Sequence, residues 1–461
     1  MTTYLLPDQP ITSIDEYFAT ETGGLGVDTA QRIGPAATIE MIVAAGLRGR
    51  GGGGFPTGRK WAGVAGQAGA HRYLVANGAE GEPGTFKDRA LLRANPYQVV
   101  EGLIIAAFAI QATEVYICVK RSFEAEIAAV TRAVQEFQTA GICTDCTFNI
   151  IGGPDEYLFG EEKAMLEVIE GKPPLPRLFP PHEQGLFAQS PELGWEATPV
   201  AIGARRDDPH PALVNNVETL CNVPHILARG AEWFRSMGTA ESPGMIVATV
   251  IGDVIAPDVG EVELGTPLRA IIAAVGSGLP AGRTIKAVFS GVANAVVTEA
   301  DLDAPVSYEG LAEIGSGMGS AGFIVYDDTA CMVDAAYRFS RFLSIESCGQ
   351  CPPCKLGSAE ITQCLQRIEI GTGTDNDLEI MGGWLPRVTD ASRCYLASEE
   401  RIVVSSILRA FPEEFADHIE HQRCPSPRHD PMPKLVDLSD GHAAYDETFW
   451  RKRPDWTYDP E

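Results

Sequence analysis

Cys348-Gly-Gln-Cys351-Pro-Pro-Cys354 places three thiols at i, i+3 and i+6, and Cys394 follows in the same region. Three thiolates so spaced converge on one face of a cubane if the backbone wraps around it. A distant fourth closes the site, and four thiolates are what a [4Fe–4S] cluster needs. Gly349, Pro352 and Pro353 suit such a wrap, because glycine permits unusual backbone angles and proline fixes a turn. The alternatives are a zinc site or cysteines that are simply buried. Structural zinc more often uses two CxxC pairs or a Cys/His mixture, so a triplet plus one favours iron and sulfide. Around these cysteines, Cys331–Ile345, Lys355–Glu369 and Ser398–Ala410 have helical periodicity. The C-terminal region is therefore expected to be helical and to carry electrons.

The rest of the chain sets bounds on that reading. A length of 461 residues allows two to four domains with their own cores. The formal charge of −26, from 36 Lys+Arg against 62 Asp+Glu, argues against nucleic acid as a partner, since phosphate backbones call for excess base. It leaves room for a local basic pocket. Eleven cysteines, an odd number, and no signal-peptide pattern predict a reducing, cytoplasmic setting. The longest apolar run, Leu103–Ile110, is too short to span a bilayer, so no direct membrane span is expected.

Residues 1–45 read as a lead-in with one helix near Ala37–Ala45, and residues 46–240 as an α/β domain. In the latter, strands Tyr73–Ala76 and Val115–Val119 alternate with helices from Pro96 to about Ala112 and over Phe123–Gln138. Residues 241–328 read as a small α+β module with β-like runs Met245–Asp253, Lys286–Ser290 and Phe323–Tyr326 and one helix near Pro267–Val275. Residues 329–424 are the helices with the cysteines. Residues 425–461, rich in Pro, Asp, Arg and Trp, read as an extended arm.

Several polar loops carry chemistry. Gly46–Lys60 contains Gly49, Arg50, Gly51, Gly52 and Gly54 but follows a helix, so it is not the strand–turn–helix of a dinucleotide fingerprint. Its exposed N–H groups, with Arg48, Arg50, Arg59 and Lys60, can cradle phosphate; the competing reading is a flexible surface loop. Asn77–Arg89 follows a strand, at the end where open α/β sheets bind ligands. Gly160-Glu161-Glu162-Lys163 and Val214-Asn215-Asn216-Val217-Glu218-Thr219 precede helices. Their amides and hydroxyls can satisfy an isoalloxazine ring and a ribityl chain, or merely cap helices. Cys143-Thr-Asp-Cys146 has no second pair and reads as incidental. Cys118, Cys221, Cys331, Cys364 and Cys424 read as core, and the histidines show no ligand spacing.

Together GLRGRGGGGFPTGRKW, NGAEGEPGTFKDR, FGEEKAMLEVIEGKPPLPR, VNNVET and ESCGQCPPCKLG, in this order over roughly residues 40–410, resemble the flavin-bearing subunit of respiratory complex I and the related diaphorase subunits of NAD-linked hydrogenases and formate dehydrogenases. The resemblance implies a Rossmann-like flavin domain, a ubiquitin-like β-grasp module and a helical bundle with a [4Fe–4S] cluster. It implies FMN contacts from Gly49, Arg50, Gly51, Gly52, Lys60, Asn77, Glu80, Gly160, Glu161, Glu162, Asn215, Asn216 and Thr219. Phe55 and Glu82 match positions that face NAD(H), and Glu82 and Glu161 become the candidate catalytic residues. Cys348, Cys351, Cys354 and Cys394 are the implied cluster ligands.

Departures from the family pattern matter equally. Ala79 replaces an aspartate, Gly63 stands where an aromatic is expected, and Phe179-Pro-Pro-His182 replaces Lys-Pro-Pro-Phe. Two lost stacking rings at about 1 kcal/mol each weaken dinucleotide binding by about thirtyfold. Hydride transfer from NAD(P)H to FMN and onward to an iron–sulfur chain is the leading reading. A flavin and iron–sulfur adaptor between protein partners, without NAD(H), is the first rival, and a scaffold that has lost its flavin the second. A thioredoxin-like [2Fe–2S] protein or a ferredoxin is expected on a separate chain.

Overall fold

The apolar runs of the N-terminal half are short and alternate with helices, the pattern of strands buried on both faces. In the computed structural model, which describes residues 3–67, 71–142, 145–187, 210–428 and 430–460, these runs form a four-stranded sheet. Its strands are β1 (Tyr73–Gly78), β2 (Glu114–Lys120), β3 (Thr147–Gly153) and β4 (Ala212–Asn216). All pair in parallel, in the order β3-β2-β1-β4. This sheet and its helices make up the first of two units, Met1–Glu80, Asp88–Asp155 and Phe159–Met237.

The apolar run Leu103–Ile110 lies inside the helix Pro96–Ile110, which is buried along almost its whole length. Asn95 caps it, accepting from Gln98 N at 3.3 Å. This helix packs on Val217–Arg229 so closely that a Cβ at Gly102 would come 2.2 Å from the Leu220 carbonyl oxygen. No helix among the described residues is long and apolar enough to cross a membrane.

Residues 1–45 are more than the single-helix lead-in expected from the sequence. They carry three helices, Ile14–Phe18, Leu25–Ile33 and Pro35–Ala45. The fully buried carboxylate of Glu101 binds this segment, accepting from Tyr17 Oη at 2.5 Å and from Gly24 N and Val27 N at 3.0 Å. A buried carboxylate is tolerated only with such donors. The short, polar first helices lack an apolar stripe strong enough to announce them.

The second unit comprises Gly81–Lys87, Glu156–Leu158 and Gly238–Glu461. It contains a mixed sheet of β5 (Met245–Gly252), β6 (Asp258–Glu263), β7 (Ile285–Ser290), β8 (Val297–Thr298) and β9 (Gly322–Asp327). Its order is β6-β5-β9-β7-β8. β5 and β6 form an antiparallel pair, β9 lies parallel to β5, and β7 runs antiparallel to β9. Helix Leu268–Val275 buries Leu268, Ile271 and Ile272 in the core of this sheet.

Helices Met332–Glu346, Pro352–Glu369 and Leu396–Ala410 follow, close to the spans expected from periodicity. Asp375–Trp384 and Pro412–His421 were not foreseen.

Residues 425–461 are not an extended arm. They form the hairpin β10 (Leu435–Ser439) and β11 (His442–Tyr445) and strap onto their own unit. Arg428 forms ion pairs with Asp253 and Asp327 at 2.6 and 3.0 Å. Trp456 Nε1 donates to the Ile345 carbonyl oxygen at 2.9 Å. Lys452 Nζ lies 2.8 Å from Glu346 Oε1, and both side chains are almost wholly buried.

Removing one partner of a buried ion pair strands the other charge. Lys452→Met is therefore expected to destabilise this unit by about 3–5 kcal/mol. Hydrogen exchange measures it: amide protection over residues 332–346 falls in the variant. Unchanged protection would mean that the pair does not hold the segment in place.

Candidate functional site

β1 is the point where the first sheet changes direction. The chain passes from β1 to β2 on one side and later returns to β4 on the other. Open parallel sheets leave a crevice outside the strand ends at such a switch point. Asn77, near the end of β1, is the register partner of Asn216, the last residue of β4. The two loops singled out in the sequence, 139 positions apart, therefore meet at the crevice.

The amides there are strongly committed. Asn77 Nδ2 donates to the Gly160 carbonyl oxygen at 2.7 Å, while its Oδ1 accepts from Ala79 N at 3.2 Å. Asn216 Oδ1 accepts from Glu218 N at 3.0 Å and caps Val217–Arg229, while its Nδ2 donates to Asp88 Oδ2 at 2.7 Å. The buried Trp61 donates Nε1 to Asn215 Oδ1 at 2.8 Å, which directs the Asn215 Nδ2 donor the other way.

The glycine loop is closed, not floppy. Arg48 Nε donates to the Gly54 carbonyl oxygen, Gly49 N to Phe55 O and Thr57 N to Leu47 O, all at 2.8–2.9 Å. Arg50 N donates to Thr219 Oγ1 at 2.8 Å, which ties the loop to the start of Val217–Arg229. The Arg50 side chain is wholly buried, whereas the sequence suggested an open, charged loop. Gly52 has φ of 113°, a conformation favouring glycine. At Gly51 a Cβ would come within 3.1 Å of the Asn216 Cβ, so a side chain there would crowd the crevice.

The remaining predicted residues divide between the crevice and simple capping. Lys60 Nζ meets Glu162 Oε2 at 2.6 Å, a pair of two proposed flavin contacts. Glu80 accepts from Asp88 N and Arg89 N at 3.2 and 3.3 Å, at the start of helix Lys87–Ala94. Glu161 caps Glu162–Ile169, accepting from Lys163 N and Ala164 N at 2.9 Å. Burial raises its carboxyl to about 7, against the pull of Lys163. Near neutral pH it is therefore not the fixed negative charge implied by its sequence. Phe55 is exposed, with Arg59 Cζ 6.0 Å from its ring centre. Gly63 has nothing within 4 Å of an added Cβ, and His182 is exposed beside Glu183.

In the second unit, Cys348 lies on a loop with Gly349 at φ 80°, Cys351 is the N-cap of Pro352–Glu369, and Cys354 is buried in its first turn. Cys394 is two positions before helix Leu396–Ala410. Lys355 Nζ donates to the Ser344 and Ser347 carbonyl oxygens at 3.2 and 2.6 Å, fixing the turn around the triplet. Burial raises the Cys354 thiol to about 11. Such a thiol ionises when a cation is supplied, and an iron–sulfur cluster does that.

Glu82 also belongs to this unit. Its carboxylate accepts from Tyr157 Oη at 2.5 Å and Val292 N at 2.6 Å, and Tyr157 Oη is 3.2 Å from Glu399 Oε1. Burial raises both carboxyls, and the Glu82 charge raises Glu399 further. Tyr157 and Glu399 were missed because nothing local links them to Glu82. Of the CxxC pair, Cys143 lies outside the described residues, and Cys146 Sγ approaches the Ala112 carbonyl oxygen at 3.5 Å.

This geometry defines a flavin-type crevice and a polycysteine site on one chain, and known proteins that resemble it agree. The model of the Nuo51 FMN-binding domain matches residues 42–225, and that of the NADH-ubiquinone oxidoreductase-F iron-sulfur binding region matches residues 334–418. The NADH-quinone oxidoreductase F subunit 2 of Rhizobium meliloti is 37% identical over 402 residues, covering 85% of this chain and 90% of that protein. The HndC subunit of the NADP-reducing hydrogenase of Solidesulfovibrio fructosivorans is 34% identical over 426 residues, covering 90% and 82%. A chain of the NAD+-reducing [NiFe]-hydrogenase, in its H2-reduced state, superposes with a TM-score of 0.74 at 30% identity, covering 93% of this chain and 73% of that one. The chain belongs to the family of NADH-quinone oxidoreductase F subunits. FMN and a [4Fe–4S] cluster are its cofactors, and the narrow glycine-lined crevice and the four-thiol set fit them.

A carboxyl whose pKa rises on folding binds its proton more tightly in the native state, so stability falls as pH climbs from the unfolded to the folded value. For Glu161 that window is about 4.5 to about 7. Glu161→Gln keeps a capping oxygen and removes the titration. Its stability curve is expected to be flatter across this window, with a gain on the order of 2 kcal/mol above it. Parallel curves for the two proteins in denaturant titrations at pH 5 and pH 8 would contradict this.

Proposed function

We propose that the switch-point crevice holds FMN and that this chain passes electrons from NAD(P)H to a [4Fe–4S] cluster held by Cys348, Cys351, Cys354 and Cys394. The observation that carries this reading is the pairing of Asn77 with Asn216 beneath a closed glycine loop, on the same chain as the cysteine set. Bound FMN supplies a centre that takes two electrons as a hydride and releases them singly.

The proposed roles follow from the contacts. Asn215 Nδ2, oriented by Trp61, and the N–H groups of Gly49–Gly52 offer donors to the ring edge and phosphate, with the Lys60–Glu162 pair beside them. Thr219 fixes the loop through Arg50 N. Phe55 offers an exposed face for stacking a nicotinamide. The match of Glu82 to a nicotinamide-facing position gives its carboxylate a role there. Tyr157 aims that carboxylate, and Glu399 keeps the proton when two crowded carboxyls cannot both ionise.

The small mixed sheet supports a β-grasp reading of residues 241–328, since its last strand, β9, enters parallel beside the first, β5, after a hairpin and a helix. Residues 46–240 would then be the flavin domain and 329–424 the cluster bundle. A thioredoxin-like [2Fe–2S] protein or a ferredoxin on a separate chain is the proposed one-electron partner, in a reducing cytoplasm.

A second reading has specific support. The open space at Gly63 and the exposed His182 lack the aromatic rings that stack on a dinucleotide, which favours an adaptor between protein partners. An anaerobic titration separates the two. NADH or NADPH is expected to bleach the flavin band of the purified protein weakly, and Gly63→Phe with His182→Phe to lower the half-saturating concentration by about thirtyfold. Flavin that stays oxidised at millimolar nucleotide in both proteins would leave the adaptor reading.

For the cluster, Cys394→Ser is expected to lose most iron and sulfide and to loosen the helices around it, since ligation and folding are linked. Full iron content in that variant would disqualify Cys394 as the fourth ligand, with Cys364 and Cys424 next in line.

A further inference from the structure

Cys331, His418 and Cys424 are brought together in the second unit, with their ligand atoms all within 4.8 Å of one another. None of them belongs to the proposed cluster set. Sequence reading assigned both cysteines to the core and saw no ligand spacing among the histidines, because residue 331 lies far upstream of the other two.

The local geometry orients these groups toward a common point. Cys331 is the N-cap of Met332–Glu346, and its Sγ accepts from Asp334 N at 3.4 Å, a setting that favours a thiolate. His418 is fully buried in the last turn of Pro412–His421. Its Nδ1 is 2.6 Å from the Glu414 carbonyl oxygen, which can only accept, so the ring proton sits on Nδ1. The lone pair of Nε2 therefore faces Cys331 Sγ, 3.3 Å away. A backbone carbonyl on the far nitrogen is how a metal-binding imidazole is commonly held. Cys424 follows the end of the helix and is only half-buried, so solvent can reach the group.

We propose that Cys331, His418 and Cys424 bind one zinc ion, with water in the fourth position. Two thiolates and an imidazole form a borderline-soft donor set that suits Zn2+ and disfavours Mg2+ or Ca2+. The ion would join the start of Met332–Glu346 to the end of Pro412–His421. Those points bracket the whole segment carrying Cys348, Cys351, Cys354 and Cys394. Glu414 already serves the same junction, accepting from Met332 N at 2.9 Å and pairing with Lys286 at 2.7 Å.

The test is elemental analysis of the full chain purified with its cofactors from zinc-supplemented cells. About one zinc per chain is expected beside the iron. Cys331→Ser, His418→Gln and Cys424→Ser should each lose it while keeping flavin and iron. X-ray absorption at the zinc edge of the unmodified protein makes the test independent of how the variants fold. It should show two sulfurs at about 2.3 Å and one nitrogen at about 2.0–2.1 Å. A four-sulfur shell, zinc retained by all three variants, no zinc at all, or a Cys331–Cys424 disulfide in the freshly isolated protein would each overturn the proposal.

Discussion

The parallel pairing of β1 with β4 is the contact on which the candidate flavin site depends. It is a long-range pairing, with Asn77 and Asn216 in register across 139 positions of chain. The strands are held by backbone hydrogen bonds and by apolar side chains such as Val75 and Val214 in a shared core. Once β4 lies against β1 opposite β2, the strand ends diverge and a crevice opens. Asn77, Asn215 and Asn216 need no separate device to reach it. Trp61, Thr219 and the closed glycine loop then set its walls, and a side chain at Gly51 would crowd it.

The second unit is built around a different difficulty, the burial of charge. Glu346 is completely buried and is satisfied by Lys452 and by Tyr157 N. Glu400 is also fully buried; burial raises its carboxyl to about 8, and it accepts from Ser340 Oγ at 2.6 Å. Glu82 and Glu399 share one tyrosine hydroxyl. Groups of this kind cost stability unless they are paired or protonated. A concentration of raised carboxyls is common where proton or electron transfer needs tuning. The C-terminal strap belongs to this arrangement because it supplies Lys452.

Much of this was legible in the sequence. The apolar runs at Tyr73, Val115, Met245 and Phe323 announced their strands, because strands buried on both faces need continuous apolar side chains. Helices with a long apolar stripe, such as Glu124–Thr139, were equally plain. The short polar helices at the N-terminus, the edge strand Asp258–Glu263 and the C-terminal hairpin were not. Their residues are half-exposed, so no period stands out, and tertiary contacts hold them in place.

What the sequence by itself determined is therefore the local chemistry: the cysteine triplet, the glycine loop, the asparagine pair and the family that these motifs mark. Each is a matter of residue type and short spacing, which the chain carries without folding. Tertiary structure alone decided which groups share a proton or a point in space. It put Tyr157 and Glu399 beside Glu82, made Glu80 and Glu161 helix caps, buried Arg50, and gathered Cys331, His418 and Cys424. Those outcomes depend on burial and on contacts between residues far apart in the chain, and neither leaves a periodic trace in a sequence.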